Sequence, residues 1–375
     1  MAGTTKPISL SDAGPLTDEQ RSLARTVRDV VAKRADSAAV RSAIETDAGY
    51  DEALWSLLCD QVGVAALAVP EEYDGVGASY LESHLVLEEL ARGLVPSPML
   101  GSAVICVQAL LASGSDEACE RLLPGLAAGT ITAALCWSGF EGHWGTEDLE
   151  VGAEESGDTW SLTGDTYYVL GGDRADVLLV AATADGAPAL FEVSADAAGL
   201  DRAPTAAMDP TRPLARVQFS STPATLLASG SEVLDRVLAV AEIALSAEQV
   251  GAAARLLELT VEYTRQRKQF GRAIGSFQAL KHRMADLYVL VETSRSMSYA
   301  AAASLSPVDA ATAKVYCSEA FQTVAGEAIQ LHGGIAITWE HDAHLYFKRA
   351  HGSAQLFGQP REFLHRLESA AGLNG

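Results

Sequence analysis

Along the chain the spacing of apolar residues changes twice, from a helical period to short strand-like runs and back again. Residues 1–15 read as a loose tail. Thr17 followed by Gln20 has the spacing of a capping box and predicts a helix from there to about residue 35. Further helical patterns cover about 50–61, 79–93, 99–113 and 115–127. Between two of them, residues 69–77 (VPEEYDGVG) carry the Pro and Gly of a loop.

From about Gly129 the texture changes. Short runs at 130–136, 160–162, 167–170 and 177–181 are separated by Gly, Asp and Ser, and Asp185-Gly186 is a hairpin signal before 188–193. After Thr222 the strands are expected to stop. Residues 230–264 then show Ala, Leu and Val at helical spacing, a Gly-containing turn covers 270–275, and a second long helix is expected over about 276–305. Pro307 breaks it, a third helix runs to about Leu331, and a charged segment follows Asp342. The expected fold is α+β: a tail (1–15), an N-terminal helical domain (16–128), a middle antiparallel β domain (129–222) and a C-terminal four-helix bundle (223–375). There is no internal repeat.

Composition narrows the function. With 375 residues and 48% apolar content the chain is long and hydrophobic enough for several packed domains. Its formal net charge of −22 argues against nucleic-acid partners and anionic membranes, both of which reward a basic surface. The five cysteines are odd in number and form no C-x-x-C pair, so neither a disulfide framework nor a Cys-rich zinc site is expected. His332, His341 and His344 are not spaced for a convincing metal site, and His332 reads as structural rather than catalytic. No secretory signal and no uninterrupted apolar run of bilayer length are visible, so a cytoplasmic protein is expected.

One segment departs from the acidic background. Residues 265–283 (RQRKQFGRAIGSFQALKHR) hold six basic residues and no acid. Such a patch suits an anionic ligand, since the guanidinium fork grips two phosphate oxygens at once. It also suits a solvated helix end. The second feature is Gln330-Leu331-His332-Gly333-Gly334, whose glycines can end a helix or let a ligand approach the backbone closely.

Together, RKQFGRAIGSFQ (267–278), QLHGG (330–334) and VPEEYDGVG resemble the acyl-CoA dehydrogenase family over about residues 16–370, with Asp74 where the family's loop carries Gly. The resemblance implies FAD, an acyl-CoA thioester substrate, a carrier resembling electron-transfer flavoprotein as acceptor, and an assembly in which one subunit holds the tail of a FAD whose ring rests on a neighbour. On that basis Arg267 would pair with the pyrophosphate, and Phe270 and Gln278 would lie against the adenosine end. Gln330, Gly333 and Gly334 would supply the close backbone approach.

The family's reaction is α,β-dehydrogenation, in which a Glu removes the α proton. At one position where members carry that Glu this chain has Phe357, followed by Gly358. At the other it has Ala241, with Glu242 beside it as a candidate base if the register slips by one. The family's T-E-P-x-x-G-S-D stretch is replaced by CWSGFEGHWG (136–145), and the hydroxyl expected near the flavin by Leu170. The tail motifs are kept while base, ring contacts and substrate loop are altered. The expected function is therefore a subunit of a heteromeric acyl-CoA dehydrogenase, completed by a paralogous subunit that carries the Glu and acting on a bulky, steroid-derived thioester. A self-sufficient enzyme using Glu242 and a non-enzymatic scaffold are the alternatives.

Overall fold

The computed structural model describes residues 16–157 and 159–372; the tail expected at 1–15 lies outside them. Helix α1 (Asp18–Arg34) opens on the expected capping box, with the Gln20 N–H donating to Thr17 Oγ1 at 3.2 Å and the Thr17 N–H to Gln20 Oε1 at 2.9 Å. A helix not expected from the sequence, α2 (Ser37–Ile44), follows; eight residues give about two turns, too few for periodicity to register. Helices α3 (Glu52–Val62) and α4 (Tyr80–Arg92) flank the expected loop, where Asp74 sits in the left-handed region at φ +62°. The pattern at 99–113 divides into a π-helix, Met99–Cys106, and α5 (Val107–Ser113), before α6 (Asp116–Ala127).

The middle of the chain forms β1 (Ala133–Cys136), β2 (Gly152–Ser156), β3 (Thr159–Leu170), β4 (Val177–Ala184), β5 (Ala187–Ser194), β6 (Leu200–Thr205) and β7 (Leu214–Ser229). The β4–β5 hairpin turns at Asp185-Gly186, both at positive φ, as the signal predicts. Since β4 pairs on one side with β1 and β2 and on the other with β5, the sheet curls back on itself around a core of its own.

Three expectations are corrected here. The sheet is mixed, not antiparallel, because β1 and β2 both run parallel to β4. Alternation reports which face a side chain takes but not strand direction. The runs at 160–162 and 167–170 are one strand, divided in appearance by a register shift between Thr166 and Val169. Strand structure also continues past Thr222 to Ser229. Ser221 at φ +50° and Pro223 break the alternation there, yet the strand goes on pairing with β5.

The C-terminal part begins with α7 (Ser231–Gln266). A short hairpin of β8 (Lys268–Gln269) and β9 (Arg272–Ala273) leads to α8 (Gln278–Ser304), and α9 starts at Pro307 as expected (Pro307–His332). Helices α10 (Ala343–Gln355) and α11 (Leu364–Ala370) complete the chain. By length and composition α7 could cross a bilayer, with a mean hydropathy of 1.4 over 18 residues, but 89% of that window is buried inside the protein. The reason is its place in the fold. Leu234, Val240 and Leu245 share one core with the N-terminal helices and β1, while Leu256 and Leu257 share a second with α8, α9 and α10. Helix α7 thus joins both halves, and this fixes where its two ends lie relative to the β domain.

Candidate functional site

The basic segment is the turn that carries the chain from α7 into α8. Arg267 caps α7, its N–H donating to the Tyr263 carbonyl at 2.8 Å, and the Ile274 N–H closes the turn on the Arg267 carbonyl at 2.8 Å. Arg267, Lys268 and Gln278 are exposed, and neither cation has an acidic partner among the described residues. Phe270 stands at the tip, 92% exposed and in the left-handed region at φ +52°. An aromatic ring that exposed leaves its apolar area in water unless something covers it.

Gln330, Gly333 and Gly334 lie at the C-terminal end of α9, all exposed. Gly333 has φ +66°, which accounts for glycine there. A Cβ on Gly334 would meet nothing within 4 Å, so packing within this chain gives no reason for glycine at that position. The two segments meet through side chains: Tyr263, one turn before Arg267, stacks on His332 with ring centroids 4.5 Å apart. The six residues that the resemblance would assign to a FAD tail are thereby gathered at one end of the bundle.

The positions expected for a base are of another kind. Phe357 is 2% exposed, sits at φ +62° and meets Trp144 edge-on with centroids 5.0 Å apart. The turn that holds it is clamped by Lys314, a fully buried ammonium that donates to the carbonyls of Ser353 (2.8 Å), Ala354 (3.3 Å) and Leu356 (2.7 Å). Ala241 is buried in the same core as Trp144 and Phe357. Glu242 points elsewhere: it is 0% exposed, and its Oε1 accepts from Arg366 Nη2 of α11 at 2.7 Å while Oε2 has no partner. Burial pushes its carboxyl up to about 7 against the pull of Arg366 and Lys314. That value suits a general base, but the side chain lines neither of the cavities beside the β domain.

One of these, of about 470 Å³, lies between β3, the segment leading into β7, and α10, with Trp144, Tyr168, Met208, Arg212, His351 and Gln355 among its walls. A second, of about 480 Å³, lies between the π-helix, the start of β1 and the turn after β3, and Leu170, Arg174, Glu248 and Arg349 reach it. A buried ion network separates the two. Arg349 donates from Nε to Asp209 Oδ2 at 2.7 Å and from Nη2 to Thr211 Oγ1 at 2.6 Å, and Arg212 pairs with Glu248 and Ser353. Although burial opposes it, Arg349 and Arg212 hold the Asp209 carboxyl below its usual value. Sequence reasoning missed this network. Asp209 and Arg349 stand 140 positions apart, and nothing local marks either of them.

Residues 17–130 match the family model described as "Acyl-CoA dehydrogenase, N-terminal domain", and residues 228–360 match "Acyl-CoA dehydrogenase, C-terminal domain". "Acyl-CoA dehydrogenase IpdE2" of Mycobacterium tuberculosis is 47% identical over 352 residues, covering 94% of this chain and 97% of that protein. The chain belongs to the acyl-CoA dehydrogenase family. Among solved structures of similar shape, the ChsE4-ChsE5 complex from Mycobacterium tuberculosis superposes with a TM-score of 0.90 at 27% identity, covering 98% of this chain and 100% of that one. The Tcur3481-Tcur3483 steroid ACAD superposes with a TM-score of 0.86 at 29% identity and the same coverage.

Acyl-CoA dehydrogenases are FAD-dependent oxidoreductases. The two halves of this chain differ in how they fit that cofactor. The end of the bundle offers groups suited to a nucleotide tail: cations without an acidic partner among the described residues, a phenyl ring 92% exposed and a glycine around whose missing Cβ this chain places nothing. The reacting end does not fit. Leu170 offers no hydroxyl, its Cβ is packed where a Cβ on Gly101 would come within 3.1 Å, and Trp144 and Phe357 fill each other's space.

Proposed function

We propose that this chain is the non-catalytic subunit of a heteromeric FAD-dependent acyl-CoA dehydrogenase. In this reading Arg267, Phe270, Gln278, Gln330, Gly333 and Gly334 hold the tail of a FAD whose ring rests on a paralogous subunit, and that subunit supplies the base. When bound, FAD accepts the β hydrogen of the acyl thioester as hydride. The observation that carries the reading is the Phe357–Trp144 contact: the place for a base is filled by packed aromatic carbon, while the opposite end keeps exposed groups suited to a nucleotide. A phenyl ring takes no proton, so this chain's own site lacks the α-proton acceptor.

The substrate we assign is a bulky, steroid-derived CoA thioester, a reading supported by the likeness to the Tcur3481-Tcur3483 steroid ACAD. The two-component ChsE4-ChsE5 complex supports the paralogous partner. An acceptor resembling electron-transfer flavoprotein and a cytoplasmic location complete the proposal. The test is flavin stoichiometry. The chain is purified alone and with the dehydrogenase subunit that co-purifies with it. One FAD per pair, little in the isolated chain, and loss of that FAD in Arg267→Ala are expected; one FAD per isolated chain with ordinary turnover would overturn the proposal.

A self-sufficient enzyme has one observation in its favour, the Glu242 carboxyl pushed up to about 7. It requires Glu242→Gln to abolish turnover. The Arg366 bond and complete burial argue for unchanged turnover instead.

A further inference from the structure

Three rings lock together where the two tail segments meet. His332 immediately precedes Gly333, and its ring stacks on Tyr263 with centroids 4.5 Å apart and planes 28° apart. His341, from the turn before α10, meets the His332 ring at a 54° tilt, also 4.5 Å away, and Tyr263 edge-on at 6.3 Å, so the three rings form a triangle. The backbone fixes the tautomer of each imidazole. His332 Nδ1 faces the Ala328 carbonyl at 2.8 Å and so carries the proton, while His341 Nδ1 accepts from the Ala343 N–H at 3.1 Å and so does not. His332 Nε2 is buried without a partner.

We propose that His332 is a positioning residue for the dinucleotide tail: in ring contact with both Tyr263 and His341, it sets the spacing of the Arg267 turn from Gly333 and Gly334. The inference rests on the reading that these segments hold a FAD tail. The stack ties together three stretches that no hydrogen bond between them joins among the described residues: the end of α7, the end of α9 and the start of α10. A second proton on His332 would land on the buried, unpartnered Nε2 beside His341; one on His341 would take the atom that caps Ala343. The charges around the pair are mixed. Asp342 and Arg41 lie next to His341, and His344, Lys348 and Trp339 lie beyond them. Burial lowers both imidazoles from their ordinary 6.5, and each is lowered further by a neighbouring cation or imidazole. A depressed base costs nothing above its ordinary value. Retention is therefore expected to hold while both rings stay neutral and to fall only as the pH drops below 6.5 toward their lowered values.

The experiment measures FAD retention, by flavin fluorescence after gel filtration, in the flavin-loaded assembly between pH 5 and 8. His332→Ala is expected to weaken retention about five- to tenfold at pH 7.5, in line with the loss of two ring contacts. His332→Phe keeps the stack, and is expected to restore most of the retention and to flatten its fall on acidification. Wild-type retention and pH profile in both variants would overturn the proposal. So would a Phe variant as weak as the Ala variant, because the ring would then not be what matters. If His332→Ala does not fold, the Phe variant's pH profile decides alone. Arg267→Ala separates the two levels: loss of FAD there with intact His332 variants overturns only the role of His332, and no loss there overturns the tail reading with it.

Discussion

Restoring the carboxylate at position 357 is the most direct challenge to the idea that this chain's own site is closed. In Phe357→Glu the substituted side chain keeps a Cβ, so the left-handed backbone at φ +62° is no more strained than before. What changes is the packing. Phe357 is 2% exposed; losing a buried phenyl forfeits about 2–3 kcal/mol, and its edge-on contact with Trp144 about 1 kcal/mol more. The new carboxyl would have no free cation, since the Lys314 ammonium beside the turn already serves three carbonyls. An unpartnered buried carboxyl adds a cost of about 1–3 kcal/mol and stays protonated. The expected destabilisation is about 4–7 kcal/mol, against about 1 kcal/mol for the control Phe357→Leu. Urea unfolding gives the stabilities, and anaerobic flavin reduction by an acyl-CoA thioester gives the activity. No new turnover is expected, because Trp144 stays in place and Leu170 still offers no hydroxyl. A Phe357→Glu chain that unfolds at the wild-type midpoint and reduces flavin at its own site would refute the argument.

Glu242 and Lys314 should leave opposite signatures in stability against pH. The Glu242 carboxyl is raised from 4.5 to about 7, so its stabilising contribution is full below 4.5 and is lost as the pH rises through 7. The Lys314 ammonium is lowered from 10.5 to about 7 by burial, so stability should recover between 7 and 10.5. Glu242→Gln should remove the lower limb in urea titrations and leave turnover of the assembly within about twofold; an unaltered limb would contradict the assignment. Asp209→Asn removes the nearer of the two carboxylates that face the buried Arg349, leaving Glu248 at 3.7 Å, and should lower stability by about 3 kcal/mol, read from the urea midpoint. Gly251→Ala would drive a methyl into the Glu88 carbonyl where α4 crosses α7, and should cost at least about 3 kcal/mol or prevent folding. A melting temperature equal to wild type would mean that the two helices have room to part.

What the sequence made legible, and what it did not, follows from the range of each interaction. The capping box at Thr17, the hairpin at Asp185-Gly186 and the start of α9 at Pro307 are decided within a few residues, and each is found where the local pattern puts it. The direction of β1 is decided by β4, some forty positions away, and β7 looks finished at Pro223 because the partner that continues it, β5, lies earlier in the chain. The same division runs through the site. Arg267, Phe270 and Gln278 lie within twelve residues of one another, and Gln330 to Gly334 within five, so a motif can carry them. Trp144 on Phe357, and Asp209 on Arg349, are contacts across 213 and 140 positions that no window of sequence contains.

This contrast bears on why one half of a site would persist without the other. Interior positions accept any well-packed set of apolar side chains, so a catalytic carboxylate that is no longer used can give way to buried carbon, which is the history we propose for Phe357 against Trp144. Exposed positions gain no such compensation. A Phe270 covered only by an edge contact with Phe277, an Arg267 and a Lys268 without acidic partners among the described residues, and a glycine at 334 with open space around it contribute little to this chain's own stability; Gly334 costs it backbone entropy. Groups that weaken the isolated chain make physical sense when something outside the chain binds them. Since the cavity beside Tyr168 opens on the β domain and these groups stand at the end of the bundle, a ligand gripped by them need not place its reacting part on the same subunit. The shared cofactor we propose would reconcile an interior without a base with an open exterior, and it would make flavin stoichiometry, rather than activity alone, the quantity that separates a subunit that lends half a site from one that has lost its function.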